Sequence, residues 1–141
     1  MAVDAKRPLP FANPPVERQD IVFSHPSEAE LARVLDYYGI AWKYEPITFP
    51  LEWDENGALL EAFAPDFYLV DQDLFVELTT LRSKLMRIKR RKIRRIQELY
   101  PEVNIKLWNR QDFCHFLERF GLQDRESSLV GQQALDNANG Q

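Results

Sequence analysis

The chain has 141 residues, of which 45% are apolar and 28% charged, and a formal net charge of −4. That length holds one core but not two ordinary domains, and that charge excludes a protein that coats nucleic acid with its whole surface, so any phosphate contact has to come from a local patch. No run approaches the ~18–20 apolar residues of a membrane span, and a single cysteine, Cys114, excludes an internal disulfide or a cysteine-rich zinc site.

Residues 1–20 carry Pro8, Pro10, Pro14 and Pro15 among small and charged residues, the composition of a flexible arm. A single α/β domain is expected over 21–122. Ser27 and Glu30 have capping-box spacing, and Leu31, Val34, Leu35 and Tyr38 follow at helical intervals until Gly39, which predicts a first helix. On its wheel Glu28 falls near the edge of the apolar face, while Glu30 points away. His25 reads as a surface residue. Ala41 to Leu51 alternates and is aromatic, predicting a strand with irregular ends at its prolines. Glu45 on it faces either solvent or the site described next. Asp54-Glu55-Asn56-Gly57 is a turn, and Leu59 to Val70 is the following strand.

The stretch from Phe63 to Thr79 puts two carboxylates, Asp66 and Glu77, into two apolar runs separated by a polar turn. This predicts an antiparallel hairpin. With Gln72-Asp73 as the turn, Asp71 faces Leu74, Tyr68 faces Glu77 and Asp66 faces Thr79. Asp66 and Glu77 are then diagonal neighbours on one face, able to reach one cation. Magnesium, or manganese in its place, suits two carboxylates completed by water and phosphate oxygens. A one-residue slip would send the two acids to opposite faces.

A long helix is predicted from Arg82 to Tyr100, ended by Pro101. Nine cations and no acid precede Glu98 in it. Leu81, Leu85, Ile88, Ile96 and Leu99 form an apolar stripe, with Lys92 near its middle and Lys89 toward its edge. An ammonium on a buried face needs a partner, and the hairpin carboxylates are the natural ones. Alternatively the two lysine stems cover apolar surface while their heads reach solvent. Arg87, Arg90, Arg91 and Arg94 lie outside the stripe, as a solvated face or a grip on phosphates. Glu102 to Trp108 is a fourth strand, reached by a crossover. Asp112 to Phe120 is a third helix, amphipathic and ending at Gly121. Residues 123–141 read as a disordered tail.

Pro65-Asp66, ten intervening residues, and Glu77-Leu78-Thr79 resemble the core of the PD-(D/E)XK nuclease superfamily. Phe23-Ser24-His25-Pro26-Ser27-Glu28 and Tyr44-Glu45-Pro46 are similar to small bacterial endonuclease-like members, including segments fused ahead of purine phosphoribosyltransferases. The resemblance implies a restriction-endonuclease-like fold: a mixed four-stranded sheet flanked by helices in the order αβββαβα. It implies Mg²⁺-dependent hydrolysis of DNA phosphodiesters, with Asp66 and Glu77 as metal ligands and Glu28 leaning over the site. Thr79 stands where the family carries lysine, and Lys89 or Lys92 would take that role from the helix. The alternative is a nuclease fold without turnover that binds nucleic acid or a partner domain such as a phosphoribosyltransferase. A homodimer and a second protein partner both stay open. With no apolar signal segment at the start of the chain, the expectation is a cytoplasmic protein without membrane contact.

Overall fold

In the computed structural model, which describes residues 7–79 and 83–128, two stretches expected as single strands are each interrupted beside a proline. The first gives β2 (Trp42–Tyr44) and β3 (Ile47–Trp53), separated by Pro46 and by Glu45 in the left-handed region at φ 43°. The second gives β4 (Leu59–Phe63) and β5 (Phe67–Leu69), with Pro65 between them. Proline cannot donate to a ladder, so each break lets the chain change sheets. Strands β2 and β5 join β6 (Leu74–Leu78) and β7 (Ile105–Trp108) in a four-stranded sheet ordered β2-β5-β6-β7. Strands β3 and β4 join β1 (Phe11–Ala12) in a three-stranded sheet ordered β1-β3-β4.

The described residues thus form an α/β fold with three α-helices and two sheets. The expected mixed sheet is present: β2, β5 and β6 are antiparallel neighbours, and β7 is parallel to β6. The expected order αβββαβα needs correction, because five strands and not three separate the first helix, α1 (Pro26–Tyr37), from the second, α2 (Ser83–Leu99). Helix α2 makes the crossover that a parallel pair requires.

Helix α1 starts earlier than Ser27. Pro26 occupies its first turn, and the His25 ring nitrogen caps it by accepting the Ser27 N–H at 3.1 Å, so His25 does the work expected of a Ser27–Glu30 box. The helix buries Glu28, Leu31, Ala32 and Leu35 and turns away at Gly39, whose φ of 71° favours a residue without Cβ.

One core cluster joins the two sheets through α2: Phe49 and Leu51 of β3, Phe75 of β6, Ile105 of β7, and Ile93, Ile96, Leu99 and Tyr100 at the end of α2. The buried Tyr100 hydroxyl reaches the Pro50 carbonyl at 2.8 Å and the Pro8 carbonyl at 3.1 Å, so part of the Pro-rich stretch meets the core. The expected stripe on α2 is covered only toward its C-terminal end, where Ile96 and Leu99 are buried as expected. Ile93 is buried, whereas Leu85 is 53% and Ile88 37% exposed, because the packed half of the helix is its C-terminal half. Leu81 lies outside the described residues.

The chain divides into two compact units at Trp108/Asn109. In the second unit, helix α3 (Arg110–Ser128) starts with a reciprocal cap. Asn109 Oδ1 accepts the Asp112 N–H at 2.8 Å, and Asp112 Oδ2 accepts the Asn109 N–H at 3.0 Å. The helix continues through Gly121, where an end was expected. The rest of the expected tail, 129–141, lies outside the described residues. Among the described residues no helix is long and apolar enough to cross a membrane.

Candidate metal centre

The site is built at the end of the β5–β6 hairpin. Phe67 pairs with Val76, Tyr68 with Phe75 and Leu69 with Leu74, a register displaced by two residues from the expected one. Asp73 takes a left-handed φ of 51°, which aspartate tolerates, and this leaves Asp71 and Gln72 at the tip. A displacement of two preserves parity. Continued by one step, the observed register sets Asp66 opposite Glu77, facing it directly and not diagonally. The two acids bracket one another through backbone donors. The Asp66 N–H donates to Glu77 Oε1 and the Leu78 N–H donates to Asp66 Oδ2, each at 3.0 Å. Both side chains are buried, Asp66 at 7% and Glu77 at 5% exposure.

The two candidate lysines separate. Lys89 Nζ lies 3.1 Å from Glu77 Oε2 and donates to the Leu78 carbonyl. Lys92 instead holds its ammonium over the Phe63 ring, 5.4 Å from the centroid, on β4. Glu28 comes from the first turn of α1 and is buried, its Oε1 accepting the Tyr44 hydroxyl at 2.6 Å and the Ser24 N–H at 3.2 Å. Thr79 is buried at the end of β6, its N–H bonded to the Trp108 carbonyl at 2.9 Å. Of the four arginines, Arg91 is spent on a bidentate pair with Glu61 at 2.9 and 3.3 Å. Arg87, Arg90 and Arg94 are exposed. Arg94 also lines a cleft of about 250 Å³ with Arg91, Arg95, Glu52, Glu61 and Glu98, where cations and acids are balanced.

Burial, then repulsion from Glu77 and Glu28, pushes the Asp66 carboxyl up to about 8, against the opposing pull of the Leu78 N–H and the Lys89 ammonium. Burial also raises Glu77, with Lys89 and the Asp66 N–H holding it down. Glu45 is raised by burial and by Glu28. Glu28 is therefore close enough to act on both hairpin acids. When ionised, these carboxylates facing one ammonium would leave a surplus of negative charge in a poorly solvated place, which the raised Asp66 and Glu77 relieve by holding protons and a divalent cation would balance instead. Among the described residues no group of three or more His, Cys, Asp or Glu side chains could hold a metal ion by itself. The donor chemistry nevertheless fits magnesium, which is ordinarily held by one or two carboxylates with water and phosphate oxygens completing its shell. Each carboxylate oxygen has two acceptor positions, so the existing hydrogen bonds leave room.

Sequence reasoning missed Tyr44, although it stands beside Glu45 in a segment already singled out. It also missed the Leu78 N–H, a backbone donor that side-chain patterns do not reveal. Burial and the bond to Glu28 raise the Tyr44 hydroxyl above the usual tyrosine range, so it acts as a donor. Tyr44→Phe is expected to lower stability by about 1.5–3 kcal/mol, the worth of a hydrogen bond to a buried charged group, in thermal or urea unfolding. No protein-family model, curated protein or solved structure matches the chain.

Proposed function

We propose that this chain is a divalent-metal-dependent phosphodiesterase of the PD-(D/E)XK type, acting on DNA. One observation carries the reading: two buried carboxylates, Asp66 just ahead of β5 and Glu77 on β6, are tied together by backbone donors, Glu77 accepting the Asp66 N–H and Asp66 the Leu78 N–H, while the Lys89 ammonium meets Glu77 at 3.1 Å from the next helix. The order of elements supports it. When only the strands of the four-stranded sheet are followed, the chain runs α1, β2, β5, β6, α2, β7, α3, the order of the resembled core. The three-stranded sheet is then an addition to that core.

Asp66 and Glu77 would hold magnesium or manganese, which when bound supplies Lewis acidity for activating water and polarising a phosphodiester. Lys89 has three donors. Two are engaged by Glu77 and the Leu78 carbonyl, and the third is left for a water or a phosphate oxygen, where a fixed ammonium offsets developing negative charge. Lys89 thus supplies from α2 the cation that Thr79 does not supply from β6. Glu28, held by Tyr44 and Ser24, adds negative potential that strengthens the attraction for a cation. Burial of the pair keeps these interactions in a poorly screened environment.

Supercoiled plasmid incubated with Mg²⁺ or Mn²⁺ provides the test. The wild type is expected to nick or linearise it, and Glu77→Ala to leave it supercoiled. An intact plasmid with the wild type in both metals would sink the reading. The buried threonine at the lysine position favours a second reading, a nuclease fold without turnover that binds nucleic acid or a partner domain such as a phosphoribosyltransferase. Under it, plasmid is retained by all variants and cut by none.

A further inference from the structure

The cations of α2 are not equivalent. Lys89 is committed to Glu77, Lys92 to Phe63, Arg91 to Glu61, and Arg95 to the Leu51 carbonyl and Glu98. Lys84, Arg87, Arg90 and Arg94 are exposed and form no ion pair among the described residues. Their spacing of three, three and four residues keeps them within about 120° of arc and strings them along roughly 15 Å of helix. Lys89 projects about 100–160° away from each of them around the axis. The free cations and the acid pair therefore lie on different sides of one helix, which is about 10 Å across.

A protein partner seated on such a face would need an apolar centre, since interface cores are depleted of charge and rich in aromatic and aliphatic anchors. The side chains of this arc include none. Leu85 and Ile88, although exposed, project outside it. A row of four cations with three arginines, met by acids only at its Arg94 end, where Glu52, Glu61 and Glu98 line the same cleft, fits instead the evenly repeated anionic oxygens of a phosphate backbone, which guanidinium forks match in geometry.

We propose that Lys84, Arg87, Arg90 and Arg94 form a backbone-tracking surface for duplex nucleic acid that is separate from the hydrolytic centre, holding a stretch of substrate other than the phosphodiester being cut. The proposal deepens the phosphodiesterase reading by making grip and chemistry separable. Arg91, named from sequence with the others, is not part of the surface, because Glu61 already neutralises it.

The full chain supplies the test, with two readouts. Binding to a labelled DNA duplex is followed by anisotropy in EDTA over a salt series. Hydrolysis of bis(p-nitrophenyl) phosphate, a diester too small to span the helix, is followed in Mn²⁺. Arg87→Ala with Arg94→Ala is expected to weaken duplex binding about tenfold and to flatten the logarithmic salt slope by about 2, since each backbone contact contributes roughly 0.9. Diester hydrolysis is expected to be unchanged. Arg91→Ala is expected to leave the slope unaltered. An unchanged affinity and slope in the double variant overturns the proposal. So does wild-type binding to polyglutamate with none to duplex, which would assign the face to an acidic protein. If the wild type binds duplex through these residues but hydrolyses nothing, the phosphodiesterase reading fails and the surface stands.

Discussion

Asp66→Asn is expected to abolish metal-dependent cleavage, a loss of about a thousandfold or more, while raising the melting temperature of the metal-free protein. Asparagine has the shape of aspartate and keeps an oxygen to accept the Leu78 N–H, so the bracket between the strands survives. It cannot ionise, and it gives a cation a much weaker ligand. The stability gain follows from the raised carboxyl, which moves from an ordinary 3.8 to about 8. Between those limits the folded chain binds more protons at Asp66 than the unfolded chain does. Stability therefore falls as pH rises from about 4 to about 8, and the cost is complete above that window. The variant is free of this cost, which appears as a melting temperature higher by at least several degrees. Thermal unfolding in EDTA from pH 5 to 9 should show the wild type losing stability toward the alkaline end and Asp66→Asn losing less. Added Mg²⁺ should raise the wild-type midpoint at pH 8 by mass action and leave the variant's nearly unmoved. A variant that melts lower at pH 8, or that still cuts, would show that Asp66 is a structural hydrogen-bond acceptor and nothing more.

The hairpin explains why the candidate site was legible where the detailed pairing was not. Its register is displaced by two residues because Asp73 adopts a left-handed conformation, which single-sequence turn rules do not fix. The displacement is even, so the inference that Asp66 and Glu77 share a face survives it. Had the turn differed by one residue, that inference would have been lost. The missed sheet has a similar origin. Pro46 and Pro65 were visible in the sequence, but a proline within an aromatic run predicts an edge or a break without saying that the two halves belong to different sheets. On α2, helical periodicity marks an apolar face correctly only where something covers it. Ile93 and Ile96 are buried under the sheets, while Leu85 and Ile88 at the same helix's other end are exposed. Periodicity carries no information about where the covering layer stops.

The same helix yields the second large effect, in the contrast between two lysines three residues apart. Lys89→Met keeps the aliphatic stem and removes only the ammonium, leaving Glu77 buried opposite Asp66 with its one ion-pair partner among the described residues gone. Deleting one member of a buried pair costs about 3–5 kcal/mol when the other stays charged. Glu77 escapes part of that cost by taking up a proton, so the loss is expected to be smaller at pH 5 than at pH 8, where two opposed carboxylates have no cation between them. Cleavage is expected to fall about 10²–10³-fold, the usual penalty for removing a fixed donor from a charge-stabilising site. Lys92→Met swaps one long stem for another over the Phe63 ring. It surrenders only a cation–π contact and a weak attraction for Glu61, so stability should stay within about 1 kcal/mol and cleavage within twofold of wild type. Plasmid cleavage rates and urea midpoints for both variants at the two pH values separate the roles. If Lys92→Met were the inactive variant and Lys89→Met cut normally, the ammonium on Glu77 would be a structural tie, and the charge that Thr79 lacks would have to come from elsewhere in the chain.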